Sequence, residues 1–148
     1  MAQEKMSEQF VKNLLAVMPC WHSRLVRPFK EMLNREMSLE TYYCLQTVRV
    51  SGMVRMTDLA SQLKIPKQQV TKLVDNLSCH DFVERVYHEA DRRVIWIRLT
   101  PKALEYLDEY YLKNTAFIQS LEEQLTGEEL LELNQAVETI GRILPRLK

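Results

Sequence analysis

One stretch of this 148-residue chain combines side chains suited to reading nucleic acid. After Pro66, apolar residues recur at helical spacing, which leaves the other side of the predicted helix polar. That polar side and its flank carry Lys67, Gln68, Gln69, Thr71 and Lys72. Glutamine pairs bidentately with adenine in the major groove, and lysine reaches guanine or phosphate. These residue types therefore predict contact with the base edges of duplex DNA.

A second basic group follows at the tip of a predicted β-hairpin. The β-branched and aromatic runs Phe82–Tyr87 and Val94–Leu99 flank six polar or charged residues, a pattern typical of two strands and their loop. The loop contains Arg92 and Arg93. Because the negative potential of a narrow minor groove attracts arginine, we expect this tip to contact the DNA backbone or the minor groove.

Further elements are needed to position these groups. Ser38 is predicted to cap a helix that runs to about Val50, and Gly52 to end it. A short extended segment over 53–55 follows, and Thr57 is predicted to open a helix over 58–63. A tight corner over 64–66 then leads into a helix over 67–79, which Pro66 starts. Helix, corner, polar helix and basic hairpin together predict a winged helix-turn-helix.

The N-terminal segment, from about Ser7, is predicted to be helical. Apolar residues recur there at spacings of three and four, which is typical of one helix face. These residues are Phe10, Leu14, Met18, Trp21 and Leu25. Pro19 and Pro28 each remove a backbone donor, so we expect a kink or break at one of them.

The C-terminal segment after Thr100-Pro101 is predicted to be helical throughout, with a capping box at Thr126 and Glu129. Apolar residues repeat every seven positions in two seams, and Asn114 in one of them either sets register or is simply exposed. The seams include Leu104, Tyr111, Ile118 and Leu125, then Leu130, Val137 and Leu144, and also Leu133, Ile140 and Leu147. So much apolar surface favours a second copy as partner. The alternative is that these helices cover only their own core.

The segment over 91–100, which covers the end of the hairpin loop and the second strand, also resembles a known family. Residues 91–100, DRRVIWIRLT, fit the DxRxxxxxLT wing pattern of the MarR (multiple antibiotic resistance regulator) family, and 56–81 is similar to that family's helix-turn-helix. The resemblance implies a mainly α fold with a small antiparallel β-hairpin. It implies one domain over 1–148, with a winged helix-turn-helix over 38–100 and a helical dimerisation region over 7–35 and 101–148. Asp81 and Ala103 depart from the pattern, since glycine is common at both positions.

The resemblance has functional implications as well. Asp91 should pair with Arg93 and direct its guanidinium toward the minor groove, although a solvated surface pair is the alternative. The protein should be a homodimer that binds a pseudo-palindromic operator. Its reading helices, which are the polar helix over 67–79 in each copy, should lie ~34–36 Å apart. It should act as a repressor relieved by a small aromatic effector. Candidate pocket residues are Trp21, His22, Arg24, Tyr42 and Tyr43, although Trp21 and one tyrosine also suit the core.

Composition narrows the function classes. The net charge is zero, but residues 61–102 carry 8 Lys/Arg against 5 Asp/Glu, whereas 103–148 carry 4 against 9. Three histidines, three separated cysteines and the lack of a glycine-rich phosphate loop argue against an enzyme. We therefore expect no cofactor and no metal site.

The cysteines and the hydropathy pattern bear on location. Three cysteines without a CxxC pair suit a reduced, cytoplasmic protein, and no apolar run predicts contact with a membrane. We expect Cys20 and Cys44 to be buried small hydrophobes, whereas the position of Cys79 near the end of the helix over 67–79 is compatible with exposure.

A different class of function also fits this pattern. A winged-helix domain can serve protein–protein contact, with its basic hairpin merely solvated and no specific DNA binding. Steep salt dependence of binding to duplex DNA separates this alternative from a transcriptional regulator.

Overall fold

A computed structural model describes residues 1–33, 37–112 and 114–148, with only the backbone for Tyr111 and Leu112. Residues 34 and 35 of the predicted N-terminal segment lie outside this description, as does the side chain of Tyr111 in the predicted seam. The described chain forms two compact units, Met1–Leu104 and Glu105–Lys148. The predicted fold class, mainly α with a small antiparallel sheet, is confirmed.

The N-terminal helix begins earlier than predicted and passes through its first proline. Helix α1 spans Ala2–Trp21, a π-helical stretch spans His22–Val26, and helix α2 spans Arg27–Leu33. In the π-helical stretch the Arg27 N–H donates to the carbonyl of His22, five residues earlier. The predicted kink or break at a proline is therefore replaced by a widened helical turn between Pro19 and Pro28. Such a turn keeps the chain helical where proline removes ordinary donors.

Helix α3 contributes three buried side chains to the core. It spans Leu39–Ser51, and the Ser38 hydroxyl accepts from the Thr41 N–H at 3.1 Å, which confirms the predicted cap. Gly52 ends the helix with a φ of +77°, a conformation that favours glycine. The side chains of Cys44, Leu45 and Val48 are buried on its inner face.

The sheet has three strands rather than a hairpin alone. Strand β1 spans Met53–Arg55, β2 spans Val83–Tyr87, and β3 spans Ile95–Leu99. Both β1 and β2 pair antiparallel with β3, which lies in the centre of the sheet. Val54 faces Ile97 across the β1–β3 pair, and both side chains are buried. The pairing of β1 with β3 was not predicted, because the sequence of a three-residue strand does not indicate which strand it pairs with.

Helices α4 and α5 form the helix-turn-helix. Helix α4 spans Met56–Leu63, so the prediction that Thr57 opens it was wrong: Arg55 is the capping position, and its Nε donates to Asp58 at 2.9 Å. Lys64 turns the chain with a φ of +54°. Helix α5 then spans Lys67–Cys79, as predicted. Its side chains Val70, Val74 and Leu77 are buried, so the helix is fixed by its apolar side.

The remaining helices follow the hairpin. Helix α6 spans Pro101–Leu112, α7 spans Thr115–Gln124, and α8 spans Gly127–Ile143, followed by a short 3-10 turn over Leu144–Arg146. The prediction of unbroken helix was wrong, because Asn114 has a turn conformation (φ −90°, ψ 35°) as the capping residue of α7. The predicted Thr126–Glu129 capping box is confirmed, with both hydrogen bonds present.

Candidate nucleic-acid interface

The first turn of α5 presents polar side chains to solvent. Pro66 precedes it, and the N–H groups of Gln69 and Val70 both donate to the Pro66 carbonyl. Among the described residues, no side-chain hydrogen bond caps this helix N-terminus at Pro66. Of the five residues predicted to read DNA here, four are exposed: Lys67, Gln68, Thr71 and Lys72. The Thr71 hydroxyl donates to the Lys67 carbonyl at 3.0 Å, so only its lone pairs and methyl group face outward.

Gln69 differs from the other four. It is half-buried, and its Nε2 donates to the Glu40 carboxylate on α3. Gln69 was predicted to lie with the other four residues on the polar side of the helix, but in the structure it is half-buried and faces α3. Its place, one residue from Val70 on the buried side, turns its side chain toward α3 rather than toward solvent.

The hairpin loop carries the second basic group. The His88 N–H donates to the Val94 carbonyl at 3.3 Å, and the Val94 N–H donates to the Asp91 carbonyl at 3.1 Å. Asp91 in turn accepts from Arg93 through its carboxylate. Arg92 and Arg93 are both exposed, and the Arg93 side chain is 92% exposed to solvent. The loop thus holds two arginines in solvent, one of them in a fixed ion pair.

The charge of Asp91 is maintained by its partner. The Arg93 side chain lowers the pKa of this carboxyl below its ordinary value of 3.8 by hydrogen bonding, and the Arg93 N–H adds a second hydrogen bond. The charge of the nearby His88 acts in the same direction. Asp91 is therefore a carboxylate at any pH near neutrality, as the ion pair requires.

One ion pair links the hairpin to α5, and another joins its two strands. Arg85 on β2 binds Asp75 on α5, and Arg98 on β3 donates to Glu84 on β2 at 3.0 Å. At the base of the hairpin, the Lys102 ammonium donates to the His80 carbonyl at 2.9 Å. Sequence reasoning missed these contacts, although the strand register would have placed Arg98 opposite Glu84.

The arrangement also localises charge. Lys67, Lys72, Arg92 and Arg93 are exposed on α5 and the loop. Two carboxylates of the same elements, Asp75 and Asp91, are each bound to an arginine. A third carboxylate, Glu89, is exposed in the loop. A chain with no net charge thereby presents exposed cations on one helix and one loop, and phosphate groups are attracted to such cations.

The five candidate effector residues are not gathered in one described cavity. A cleft of about 450 Å³ is lined by Lys30, Ser38, Leu39, Glu40, Tyr43, Leu63 and Ile65. Of the predicted set, its described lining contains Tyr43. Tyr42 packs edge-on against Phe29 at 4.9 Å, and its hydroxyl accepts from Gln46. Trp21 is 44% exposed at the end of α1, and His22 and Arg24 are exposed on the π-helical stretch.

The three cysteines have different environments. Cys44 is buried as predicted, and burial raises the pKa of its thiol to about 11, with a further contribution from the charge of Glu40. Cys79 is exposed near the end of α5, a position that the sequence left open. Cys20 is exposed on α1, so the prediction that it is buried was wrong for the single chain. Within 1–33, 37–112 and 114–148, no three metal-ligating side chains come together, and no helix is long and apolar enough to cross a bilayer.

Known proteins resemble this chain in both sequence and fold. The family model described as the MarR family matches residues 37–95. YsmB of Bacillus subtilis, an uncharacterized HTH-type transcriptional regulator, is 28% identical over 102 residues, which are 68% of this chain and 70% of that protein. The HTH-type transcriptional repressor YetL of the same organism is 30% identical over 91 residues, 62% of this chain and 53% of that protein.

A solved structure gives the same fold. A mutant MarR from E. coli, complexed with operator DNA, aligns with a TM-score of 0.61 at 19% identity, covering 88% of this chain and 94% of that one. The matched residues 37–95 contain the whole of α5 and the hairpin loop described above.

Proposed function

Because this chain belongs to the MarR family of transcriptional regulators, we propose that it is a homodimer that binds a specific, pseudo-palindromic operator in duplex DNA. One observation carries the proposal: the exposed Lys67, Gln68 and Lys72 on α5 lie in the same unit as the exposed, carboxylate-held Arg93. A single helix enters the major groove, and an arginine loop suits the adjacent minor groove or backbone.

Seven of the eight predicted DNA residues have a role in the proposal, and the eighth, Gln69, is bound to Glu40. Gln68 and Thr71 face base edges, and Lys67 and Lys72 reach guanine or phosphate. Arg92 and Arg93 contact the backbone or the minor groove, and Asp91 positions Arg93. The E. coli protein with this fold was crystallised with operator DNA, which supports the same class of partner here.

Exposed apolar helix faces support the homodimer. On α1, Phe10, Leu14 and Met18 are each about half exposed, and α8 exposes a similar row. The row consists of Leu133, Val137, Ile140, Leu144 and Leu147, which continues into the turn after α8. Apolar surface of this extent on two helices suits burial against a second copy. We therefore retain 7–35 and 101–148 as the proposed dimerisation region.

Regulation by a small aromatic molecule completes the proposal. YetL is named a repressor, and we propose that this protein also represses until an effector binds. The cleft beside Tyr43 is the site we favour, since Leu39, Leu63 and Ile65 give it apolar walls and Lys30 a cation. An effector that prefers a dimer with the wrong spacing of α5 helices would lower operator affinity. Such a regulator acts in the cytoplasm.

Binding to a randomised duplex pool tests the proposal. Fluorescence anisotropy at two salt concentrations, with unlabelled competitor, should show selective binding that weakens steeply with salt. Lys72→Ala should weaken binding and reduce the salt slope by about 1. Lys5→Ala, which removes an exposed lysine from α1 outside the proposed dimerisation region, is the matched control and should leave the slope unchanged. Release of the complex by a panel of phenols and aromatic acids tests the effector.

Two negative results would change the proposal in different ways. Failure to bind any duplex at low salt would overturn the proposal and favour the winged-helix protein-contact module. Selective binding that no aromatic compound releases would leave a DNA-binding regulator but contradict the effector.

A further inference from the structure

One hydrogen bond joins α3 to the first turn of the reading helix. The Gln69 Nε2 on α5 donates to the Glu40 carboxylate, although the residues are 29 positions apart in the chain. Glu40 lies in the first turn of α3, two residues after the Ser38 cap, and Gln69 is the third residue of α5. Both side chains are half-buried. Two helices that meet at this point thus share one polar contact.

The chemistry of glutamine makes this contact relevant to base recognition. Gln reads adenine bidentately, with Nε2 donating to N7 and Oε1 accepting from the N6 amino group. In this structure the Gln69 Nε2 is already bound to Glu40. We infer that Glu40 is a positioning residue for DNA specificity, which holds the Gln69 amide on α3 and so withholds it from adenine.

Three properties of the site favour the held state. A carboxylate is a stronger acceptor than a neutral oxygen, so the bond is charge-assisted. Partial burial reduces competition from water for the same donor. The first turn of α5 carries the positive end of the helix dipole, which attracts the Glu40 charge. Gln69 would have to give up the first two advantages to reach a base, and the third keeps the Glu40 carboxylate at this point.

We therefore expect the neighbouring Gln68, and not Gln69, to recognise a base at this end of α5. Gln68 is exposed, and its amide is the one that the structure presents to solvent beside Lys67. The charge of Glu40 has a second effect, since a carboxylate near the DNA-facing turn repels phosphate. Hydrogen bonding and charge can be separated, because Glu40→Gln keeps an acceptor oxygen for Gln69, whereas Glu40→Ala removes it.

Selection from a randomised duplex pool, followed by sequencing, tests the inference, which rests on the proposed DNA-binding function. Gln68→Ala should lose an adenine preference at one position in each half-site, and Gln69→Ala should keep the wild-type profile. Glu40→Ala should gain a new adenine preference, and the double variant Glu40→Ala with Gln69→Ala should lose that gain. Glu40→Gln should keep the wild-type profile and bind DNA a few-fold more tightly.

Two results would overturn the inference that Glu40 holds Gln69. One is a wild-type base profile from Glu40→Ala, and the other is loss of a base preference in Gln69→Ala while Glu40 is present. Thermal melting shows which variants are folded.

A second measurement separates this inference from the proposed function. In the free full-length protein, ¹H–¹⁵N spectra report the side-chain amide of Gln69, which should be shifted downfield and ordered in the wild type and in Glu40→Gln. In Glu40→Ala it should move to the position of a solvated amide. An unshifted Gln69 amide in the wild type overturns the inference even if DNA is bound. A wild-type protein that selects no sequence overturns the proposed function, whereas the amide spectrum still decides whether Glu40 holds Gln69.

Discussion

Arg93 donates to Asp91 through three of its nitrogen atoms. Its backbone nitrogen lies 3.0 Å and its Nε 3.1 Å from Asp91 Oδ1, and its Nη2 lies 3.4 Å from Oδ2. An exposed ion pair contributes little to stability. Its geometric effect is larger, because a side chain with many rotamers is held in one direction.

From the Asp91–Arg93 pair we predict that removing a negative charge weakens DNA binding. Asp91→Ala lowers the repulsion of phosphate, yet we expect it to weaken operator binding by roughly tenfold because Arg93 loses its position. Arg93→Ala should weaken binding by a similar factor. Anisotropy titration at fixed salt measures both variants.

The control for this prediction lies in the same loop. Glu89→Ala removes an equal charge from an exposed residue and leaves the Asp91–Arg93 pair intact. We expect its binding to be unchanged or slightly tighter. If Asp91→Ala behaves like Glu89→Ala, the pair has no positioning role.

The ionisation of Asp91 should depend on Arg93. The hydrogen bonds from the Arg93 side chain and backbone lower the pKa of the Asp91 carboxyl below 3.8 in the folded protein. Because the unfolded protein binds this proton more readily, the contribution of the pair to stability is present above the unfolded pKa. It is lost as pH falls through the lower, folded pKa.

Carbon-detected NMR titration of the Asp91 carboxyl measures this shift. Its midpoint should lie below that of a model aspartate in the wild type, and should move upward in Arg93→Ala. An equal midpoint in both proteins would show that the pair does not persist in solution.

The exposed row on α8 should be the most sensitive part of the proposed dimer. Ile140 is 45% exposed in the single chain, and a charge there would be buried in the dimer. Ile140→Glu should therefore shift the protein toward monomer, because an unpaired buried carboxylate is costly. DNA affinity should fall by more than about tenfold, since two half-sites are no longer bound together.

Sedimentation velocity measures the shift, and Gln135→Glu is the matched control. Gln135 lies on another side of α8 and is also exposed, so the same added charge should leave the dimer intact. A dimeric Ile140→Glu protein would place the interface elsewhere.

Thiol reactivity should distinguish the three cysteines. Burial raises the pKa of the Cys44 thiol to about 11, with the Glu40 charge adding to the rise, from an ordinary value of 9.0. Near pH 8 this rise alone should slow alkylation of Cys44 in the folded protein by about 100-fold relative to the same thiol in denaturant. The folded state favours the neutral thiol, so its contribution to stability is complete below pH 9 and is lost as pH rises through about 11.

Peptide mapping after timed iodoacetamide treatment measures the rates at each cysteine. In denaturant the rates should become equal, which controls for differences between the peptides. Equal rates in the folded protein would contradict the buried environment of Cys44.

Local signals accounted for most of the fold that positions the site. The bounds of α5, the Ser38 cap and the Thr126–Glu129 capping box were predicted correctly, because each depends on residues within one helical turn. The break at Asn114 was missed, since the seven-residue apolar repeat continues across it and so conceals a change in the backbone.

The candidate site was predicted in composition but not in its internal contacts. The pairing of Asp91 with Arg93 spans two residues and followed from the family pattern. The contacts of Arg85 with Asp75 and of Glu40 with Gln69 join separate elements. Spacing within one helix cannot reveal a partner on another, so Gln69 was assigned to the wrong surroundings.

The central position of β3 has a consequence for the order of folding. Strand β1 is only three residues long, yet its pairing with β3 closes a loop of chain that contains both α4 and α5. Closing a long loop costs conformational entropy before its contacts offset that cost, so β1 should dock only once the hairpin exists. The hairpin and the two helices should therefore gain and lose amide-exchange protection together, as one cooperative unit. Shortening the hairpin would then unfold the reading helix as well as remove the arginines at its tip.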